Sequence, residues 1–183
     1  MENTNSGRIY IGLGGNLPHP TYGSAKDTLE AALAELARRG VRIPGISPWY
    51  KTAPVPASDQ PWYVNAVAEV ETTWPPDRLL AELHAVEDAF GRVRSVPNAA
   101  RLIDLDLLDY KAQISPGGPG KAILPHPRMD QRAFVLRPLA DLAPSWRHPA
   151  SHRLVAELIA DLPPDQVAER LSGEDGGKVG RIA

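Results

Sequence analysis

Hydrophobic and polar positions in this chain follow two periods, and the stretches with period two predict β-strands. An apolar stretch from Arg8 to Leu13 predicts the first strand, which ends at two glycines and an asparagine. The stretch from Val41 to Lys51 also looks extended, and its prolines predict a sheet edge or a β-bulge. Tyr63 to Thr72 alternates most regularly, so one side of a sheet should receive Val64, Ala66, Ala68 and Val70.

Two stretches with a period near 3.6 residues predict amphipathic helices. The first begins after Ser24, whose spacing from Asp27 is that of a capping box, and it ends at Gly40. Its apolar stripe consists of Leu29, Ala32, Leu33 and Leu36. The second begins at Pro75-Pro76, because proline is tolerated in a first turn, and it ends at Gly91. Its stripe consists of Leu79, Leu80, Leu83, Val86 and Phe90.

The C-terminal half carries weaker signals. Ser115 to Lys121 is rich in glycine and proline and predicts a turn leading to a short strand near Ala122–Leu124. Leu154–Leu162 and Val167–Leu171 are candidate helices. The order strand–helix–strand–strand–helix–strand predicts an α+β protein with a ferredoxin-like split βαβ core, an antiparallel sheet with helices on its faces, and C-terminal additions. We expect a single domain over residues 1–183, with a flexible tail after about residue 173.

Composition narrows the class of protein. The net charge of -2 argues against a general nucleic-acid or membrane-surface binder, so neither partner is expected. The chain has no cysteine, which excludes disulfides and thiolate metal sites. Its N-terminus lacks an apolar signal-peptide core, and no apolar run approaches the roughly 18 residues that span a bilayer. We therefore expect a cytoplasmic enzyme or binding protein, whose protein partners and oligomeric state the sequence does not indicate.

Positive charge is concentrated between Arg92 and Arg153. This stretch holds ten lysines and arginines but only five aspartates, although the whole chain is acidic. One interpretation is an ordinary solvated face. The other is a polyanion site, because arginine side chains match the oxygens of phosphate groups.

The stretch from Arg101 to Leu108 alternates carboxylates with aliphatic residues. On a strand, Asp104 and Asp106 would share one face, with Cα atoms roughly 6.6 Å apart. Two ionised carboxylates this close repel each other unless a cation lies between them. Few oxygen ligands backed by arginines suit Mg²⁺, which retains waters and shares phosphate oxygens. The alternative is an Asp-x-Asp triplet that only faces water at a strand edge.

Polar residues interrupt apolar patterns at two further places. Glu87 lies in the stripe of the second helix, so it either reaches water at the stripe's edge or orients Arg92 or Arg94. Tyr63 and Asn65 share the polar face of their strand, where they could hold a flat heterocycle or simply be exposed. The chain has no Walker A motif, so any nucleoside triphosphate would be bound by arginines and metal ions.

Several segments, in order from Ile9 to Leu142, resemble the 6-hydroxymethyl-7,8-dihydropterin pyrophosphokinase family of folate biosynthesis. The similar segments are Tyr10–Leu17, Tyr50–Thr52, Asp59–Asn65, Glu87–Arg94, Arg101–Asp106, Leu124–Arg128 and Arg132–Phe134. Three positions depart from the family pattern: Asn98 stands where a tryptophan is common, Ala100 where a proline is usual, and Gly15 where a serine is usual.

The resemblance implies transfer of a pyrophosphoryl group from ATP to the hydroxymethyl group of the reduced pterin, leaving AMP. It implies that Asp104 and Asp106 hold two Mg²⁺ ions and act in catalysis with Arg92 and Arg94. The implied ATP-binding set is His84, Arg92, Arg94, Arg101, Leu107, Lys121, Ile123, His126 and Arg132. The implied pterin-binding set is Thr52, Val55, Tyr63, Asn65 and Phe134, and the supporting residues are Asn16 and Glu87.

The loop from Arg92 to Ala100 is expected to be mobile without ligands and to close over ATP. Two other classes of function stay open from the residues alone. A silent ferredoxin-like binding module would share the fold but leave the paired carboxylates unexplained. A nucleotidyltransferase also uses paired aspartates, but it places them after a Gly-Ser turn that this chain lacks near Asp104.

Overall fold

The computed structural model describes residues 6–93 and 99–172. Within these ranges, the strands are β1 (Ile9–Gly15), β2 (Arg42–Ile46), β3 (Tyr50–Thr52), β4 (Tyr63–Glu71), β5 (Asp104–Tyr110), β6 (Ser115–Gly118), β7 (Lys121–Leu124) and β8 (Ala168–Arg170). The α-helices are α1 (Ala25–Arg38), α2 (Pro76–Ala89), α3 (Ala133–Leu142) and α4 (Val155–Ala160), and a 3₁₀ turn spans Met129–Gln131.

The main sheet has the strand order β5-β1-β4-β3-β8, with β2 also paired to β4, and its recorded pairs are antiparallel. Strands β1 and β4 are central, and each connection from β1 to β4 and from β4 to β5 contains a helix. This confirms the α+β class and the ferredoxin-like core. Of the edge or β-bulge expected for Val41–Lys51, the bulge is confirmed, because the stretch divides into β2 and β3 and the register of β2 against β4 shifts between Arg42 and Gly45.

One face of the sheet packs on α1 and α2. Ser24 and Asp27 form the expected capping box at the start of α1, and the predicted stripe of that helix is buried. The period-two prediction for β4 also holds, because Ala66, Ala68 and Val70 lie in the same core as that stripe. From β5, Leu105 and Leu107 enter this core. Asp104 and Asp106 must therefore lie on the opposite face of the strand.

The second face of the sheet packs on α3, a helix that the sequence patterns did not reveal. Tyr10, Val67 and Leu108 form a second core with Leu136 of α3 and with Trp146, which follows that helix. The indole Nε1 of Trp146 donates a 2.8 Å hydrogen bond to the buried carboxylate of Asp109. Packing in this core places α3 against the sheet face on which Asp104 and Asp106 lie.

The structure corrects two predictions for the C-terminal half. The turn predicted over Ser115–Lys121 is confined to Pro119–Gly120, because Ser115–Gly118 is strand β6 and pairs in a separate hairpin with β7, the strand expected near Ala122–Leu124. A Cβ at Gly117, where φ is +77°, would lie 2.4 Å from Ile123, so the glycine permits the close pairing. Val167–Leu171 is not a helix, because Ala168–Arg170 pairs with β3 and the exposed edge of β3 satisfies its backbone.

No helix in the described parts of the chain is long and apolar enough to cross a membrane.

Candidate active site

A cavity of about 370 Å³ opens on the α3 side of the sheet. Its floor comes from the central strands β1 and β4, one wall from the segment after β3, and the other from the start of α3. All five residues of the predicted pterin set line it: Thr52, Val55, Tyr63, Asn65 and Phe134. Arg101, Arg132 and Asp104 line it as well, so the cavity joins an apolar and aromatic part to a charged part.

Asn65 is held in one orientation at the floor of the cavity. Its Oδ1 accepts a 2.6 Å hydrogen bond from the hydroxyl of Thr52, and its Nδ2 donates to the Leu13 carbonyl at 3.2 Å. Gly14 makes room for this amide, because a Cβ there would lie 2.7 Å from Nδ2. The chain thus presents a pre-oriented amide beside the phenol of Tyr63.

Asp104 lies between two arginines at the charged end. Its Oδ1 accepts from Arg92, and its Oδ2 accepts from Nη1 of Arg101 at 2.7 Å. Arg92 also donates to Glu87, which is only 1% exposed and accepts a 2.7 Å hydrogen bond from the Leu105 amide. Glu87 therefore contacts Arg92, as one of the two interpretations expected, and does not reach water.

Asp106 shares the face of Asp104. Both border a small cleft, about 20 Å³ in volume, that also touches Phe134 and Val135. Burial, and then repulsion by Asp104, raise the pKa of Asp106 to about 6. Its Oδ1 lies 3.9 Å from Nε2 of His126. Burial and then the positive charges of Arg132 and Arg128 lower the pKa of His126 to about 4, so this imidazole is neutral at pH 7.

Asn16 connects three segments around the site. Its Oδ1 accepts from the Arg101 amide at 2.8 Å, and its own amide donates to the Arg101 carbonyl at 3.0 Å. Its Nδ2 donates to the Pro61 carbonyl at 2.9 Å and contacts Gln60 at 3.3 Å. The turn after β1 thereby holds both the segment before β4 and the arginine before β5.

Some predicted nucleotide residues lie away from the cavity lining. The side chain of Leu107 is buried in the α1–α2 core, because the alternation that exposes Asp106 directs Leu107 to the other face; a nucleotide contact at this position stays a prediction for its backbone groups. His84 is partly buried on α2. Lys121 and Ile123 lie on the exposed face of β7. Arg94 and Asn98, and with them most of the expected closing loop, lie outside the described residues.

The cavity also contains residues that the sequence patterns missed. Arg128 and Gln131 line it, as does Gln166 from the segment before β8. Arg128 belongs to the positive stretch already noted, so its charge was a usable signal. Gln166 had none, because a single glutamine in a loop follows no period and matches no motif.

Asp104 and Asp106 fit Mg²⁺ only if the metal takes further ligands from outside the protein. No cluster of three or more potential ligand side chains occurs among residues 6–93 and 99–172. Two aspartates on one strand face therefore cannot enclose a metal alone. They suit a hard cation that takes its other ligands from phosphate oxygens and water. A metal here would be bound together with a polyphosphate.

Comparisons with known proteins agree with this picture. The family model described as 7,8-dihydro-6-hydroxymethylpterin-pyrophosphokinase (HPPK) matches residues 10–144. A 2-amino-4-hydroxy-6-hydroxymethyldihydropteridine pyrophosphokinase of Pseudomonas aeruginosa is 40% identical over 167 residues, covering 91% of this chain and 98% of the relative. A protein of the same name from Synechocystis is 37% identical, covering 81% of this chain and 73% of the relative.

A solved structure of Plasmodium falciparum HPPK-DHPS, wild type with pteroate, superimposes with a TM-score of 0.62. The match covers 84% of this chain but only 42% of that one, and the sequences are 12% identical. This likeness supports the fold alone.

Proposed function

This chain belongs to the 7,8-dihydro-6-hydroxymethylpterin-pyrophosphokinase family and transfers pyrophosphate to hydroxymethyldihydropterin in folate synthesis, and we propose that the transfer requires Mg²⁺ held by Asp104 and Asp106. In the proposed reaction the donor is ATP. The pterin hydroxymethyl oxygen forms a bond to the β-phosphorus, the bond from that phosphorus to the oxygen of the α-phosphate breaks, and AMP leaves. The hydroxyl proton is released. We expect this reaction to take place in the cytoplasm.

The proposed pterin site is the apolar and aromatic part of the cavity. The ring of Phe134 offers a stacking face, and the pre-oriented Asn65 amide and the Tyr63 phenol offer polar groups to the edge of a flat heterocycle. A volume of about 370 Å³ suits a small bicyclic ligand, since small-molecule sites commonly begin near 300 Å³. Because Arg101 and Asp104 line the same cavity, the hydroxymethyl group of a pterin bound there can be directed toward the charged part.

The proposed triphosphate site is the set of arginines around Asp104. Arg92, Arg101 and Arg132 present guanidinium groups that match phosphate oxygens, and Arg101 and Arg132 line the same cavity as the pterin residues. They would neutralise the triphosphate and the charge that shifts toward the departing AMP. His126, neutral at pH 7, can donate one hydrogen bond to a phosphate oxygen without adding charge.

The position of Asp104 between Arg92 and Arg101 is the observation that carries the metal proposal. These arginines neutralise the carboxylate. A triphosphate offers both arginines oxygens of higher charge, so its binding would release Asp104 for a cation shared with the phosphates. When bound there, Mg²⁺ would neutralise the phosphate oxygens and polarise the reacting phosphoryl group. The partners, then, are ATP and the reduced pterin.

Product analysis tests the proposal. The protein is incubated with ATP and hydroxymethyldihydropterin, with Mg²⁺ or with a chelator, and the nucleotide products are separated. We expect AMP and pyrophosphorylated pterin in equal amounts, only with Mg²⁺. ADP as the product, free pyrophosphate as from nucleotidyl transfer, or full turnover in the chelator would each refute it.

A further inference from the structure

The C-terminal segment reaches the cavity from outside the residues that match the family model. That match ends at residue 144, whereas Gln166, just before β8, lines the cavity. We infer that Gln166 is a positioning residue that sets pterin affinity by fixing the wall formed by Arg132 and Phe134. The inference rests on the proposed placement of the pterin in this cavity.

Gln166 makes two hydrogen bonds to the start of α3. Its Oε1 accepts from the amide of Ala133 at 2.8 Å, and its Nε2 donates to the carbonyl of Gln131 at 2.9 Å. Ala133 is the first residue of α3, and Arg132 before it provides no side-chain cap. Gln166 therefore supplies a cap that a helix normally obtains from its own N-terminal residue.

The capped amide lies between two residues of the site. Arg132 precedes Ala133 and Phe134 follows it, and both line the cavity. The Arg132 guanidinium lies 5.3 Å from the centre of the Phe134 ring, so the two side chains move as a contacting pair. Without the Gln166 oxygen that accepts from the Ala133 amide, the first turn of α3 can rotate or fray, and the stacking ring loses its fixed position.

Gln166 is itself held to the opposite wall. The next residue, Val167, accepts a 3.1 Å hydrogen bond through its carbonyl from the amide of Ala53, and Ala53 lines the cavity. β8 then pairs along β3, with Thr52 opposite Ala168. One short C-terminal segment thus connects the Thr52–Pro56 wall to the Phe134 wall and fixes the distance across the cavity.

Losing Gln166 should weaken the binding of the pterin more than the binding of ATP. The side chain is partly exposed and adds little to either apolar core, so its loss should change global stability little. The two arginines that pair with Asp104, Arg92 and Arg101, are held by Glu87 and Asn16, which do not depend on Gln166. Pterin affinity should therefore fall by more than ATP affinity, because Arg132 is the one arginine of the proposed triphosphate site that Gln166 helps to position.

The test compares Gln166→Ala with Gln166→Glu in the full chain, by calorimetric titration with each substrate and by steady-state kinetics. Glu keeps the acceptor for the Ala133 amide, loses the donation to the Gln131 carbonyl and adds a negative charge at the N-terminus of α3, which the helix dipole favours. We expect Gln166→Ala to raise the pterin Kd and KM by about three- to tenfold, the change expected for one ordinary hydrogen bond. Gln166→Glu should restore most of the affinity. Glu169→Gln, an exposed change on β8, is the matched control and should have no effect.

Equal losses for both substrates, no loss for Gln166→Ala, or a large fall in its melting temperature with no rescue by Gln166→Glu would overturn the inference. Phe134→Leu separates this inference from the proposed function. If Phe134→Leu weakens pterin binding and Gln166→Ala does not, only the role of Gln166 is wrong. If Phe134→Leu leaves pterin binding unchanged, the proposed site and the role of Gln166 both fail.

Discussion

Asn16 and Arg101 are joined by two hydrogen bonds in opposite directions: the Asn16 amide donates to the Arg101 carbonyl, and the Arg101 amide donates to the Asn16 side chain. The partners are 85 residues apart in sequence. The Asn16 side chain is buried and also donates to the Pro61 carbonyl and contacts Gln60, so it has three partners. This contact fixes the backbone from which the Arg101 side chain reaches Asp104.

Asn16→Ala should therefore reduce both stability and turnover. It leaves the Arg101 amide and the Pro61 carbonyl without their partner, which we expect to cost about 1–3 kcal/mol of unfolding free energy. Urea unfolding and steady-state kinetics measure the two effects. Asn16→Asp keeps the acceptor for the Arg101 amide, so its stability and turnover should lie between those of wild type and Asn16→Ala. Wild-type turnover in Asn16→Ala would show that Arg101 needs no such support.

Turnover should depend on the negative charge of Glu87, and stability on the hydrogen bond that Glu87 accepts from the Leu105 amide. Glu87→Gln keeps an acceptor for the Leu105 amide but removes the charge that faces Arg92, so we expect near-normal folding with a reduced kcat. Glu87→Ala removes both and should also lose about 1–3 kcal/mol of stability. Glu82→Gln on the same helix is the control, because Glu82 pairs with Arg39 near the surface and should matter little. Equal kinetics for Glu87→Gln and wild type would contradict the account.

Thr52 should affect pterin binding by holding the side chain of Asn65 in its orientation. Thr52→Val conserves shape but leaves the buried Asn65 carbonyl without its donor, which frees the amide to rotate. We expect weaker pterin binding with ATP affinity nearly unchanged, and Thr52→Ser should behave like wild type. Titration with each ligand checks this, together with Tyr63→Ala and Asn65→Ala, which should show the same selectivity. Parallel losses for both ligands would indicate a general structural defect.

His148 should make stability depend on pH below neutrality. Its Nδ1 accepts from the amides of Ala150 and Ser151, which only the neutral ring can do. Burial lowers the pKa of His148 from 6.5, an effect that Asp130 opposes and His152 reinforces. Between pH 6.5 and that lowered pKa, the unfolded chain binds a proton that the folded protein does not. The stabilisation is thus complete above pH 6.5 and is lost as the pH falls.

The comparison that isolates this effect is His148→Asn, because Asn can accept the same amides without titrating. We expect the unfolding free energy of wild type to fall more steeply between pH 7 and pH 5 than that of the variant. Other groups contribute to both proteins alike: Asp106, with its raised pKa, acts in the opposite direction, and His126 acts in the same direction. Identical pH profiles for the two proteins would rule out the role of His148.

Local patterns predicted those features that depend on local periodicity. The alternation around Asp104 and Asp106 placed both carboxylates on one face, and the box at Ser24 and Asp27 placed the start of α1. Burial of the Leu107 side chain follows from the same alternation. Where the hydrophobic period agrees with burial over a long stretch, the sequence predicts which face of a strand or helix is buried.

Features that depend on distant partners were not predicted. β8 is three residues long and is a strand only because β3 offers an open edge. α3 contains Pro138 and begins without a local cap, so it lacks the usual start signal and depends on Gln166. The sequence allows two interpretations of Glu87, a contact with an arginine or exposure to water. Only the packing of α2 on β5 decides for the contact with Arg92.

Counting bound metal ions tests the central claim most directly. Mn²⁺ replaces Mg²⁺ as a paramagnetic probe, and the bound ions are counted by electron paramagnetic resonance in the complex with pterin and a non-hydrolysable ATP analogue. We predict two ions in wild type. Asp104→Asn and Asp106→Asn should each lose metal and abolish turnover while keeping the fold by circular dichroism. Full Mn²⁺ occupancy with most of the activity in either variant would contradict the assignment of these two aspartates as the metal ligands.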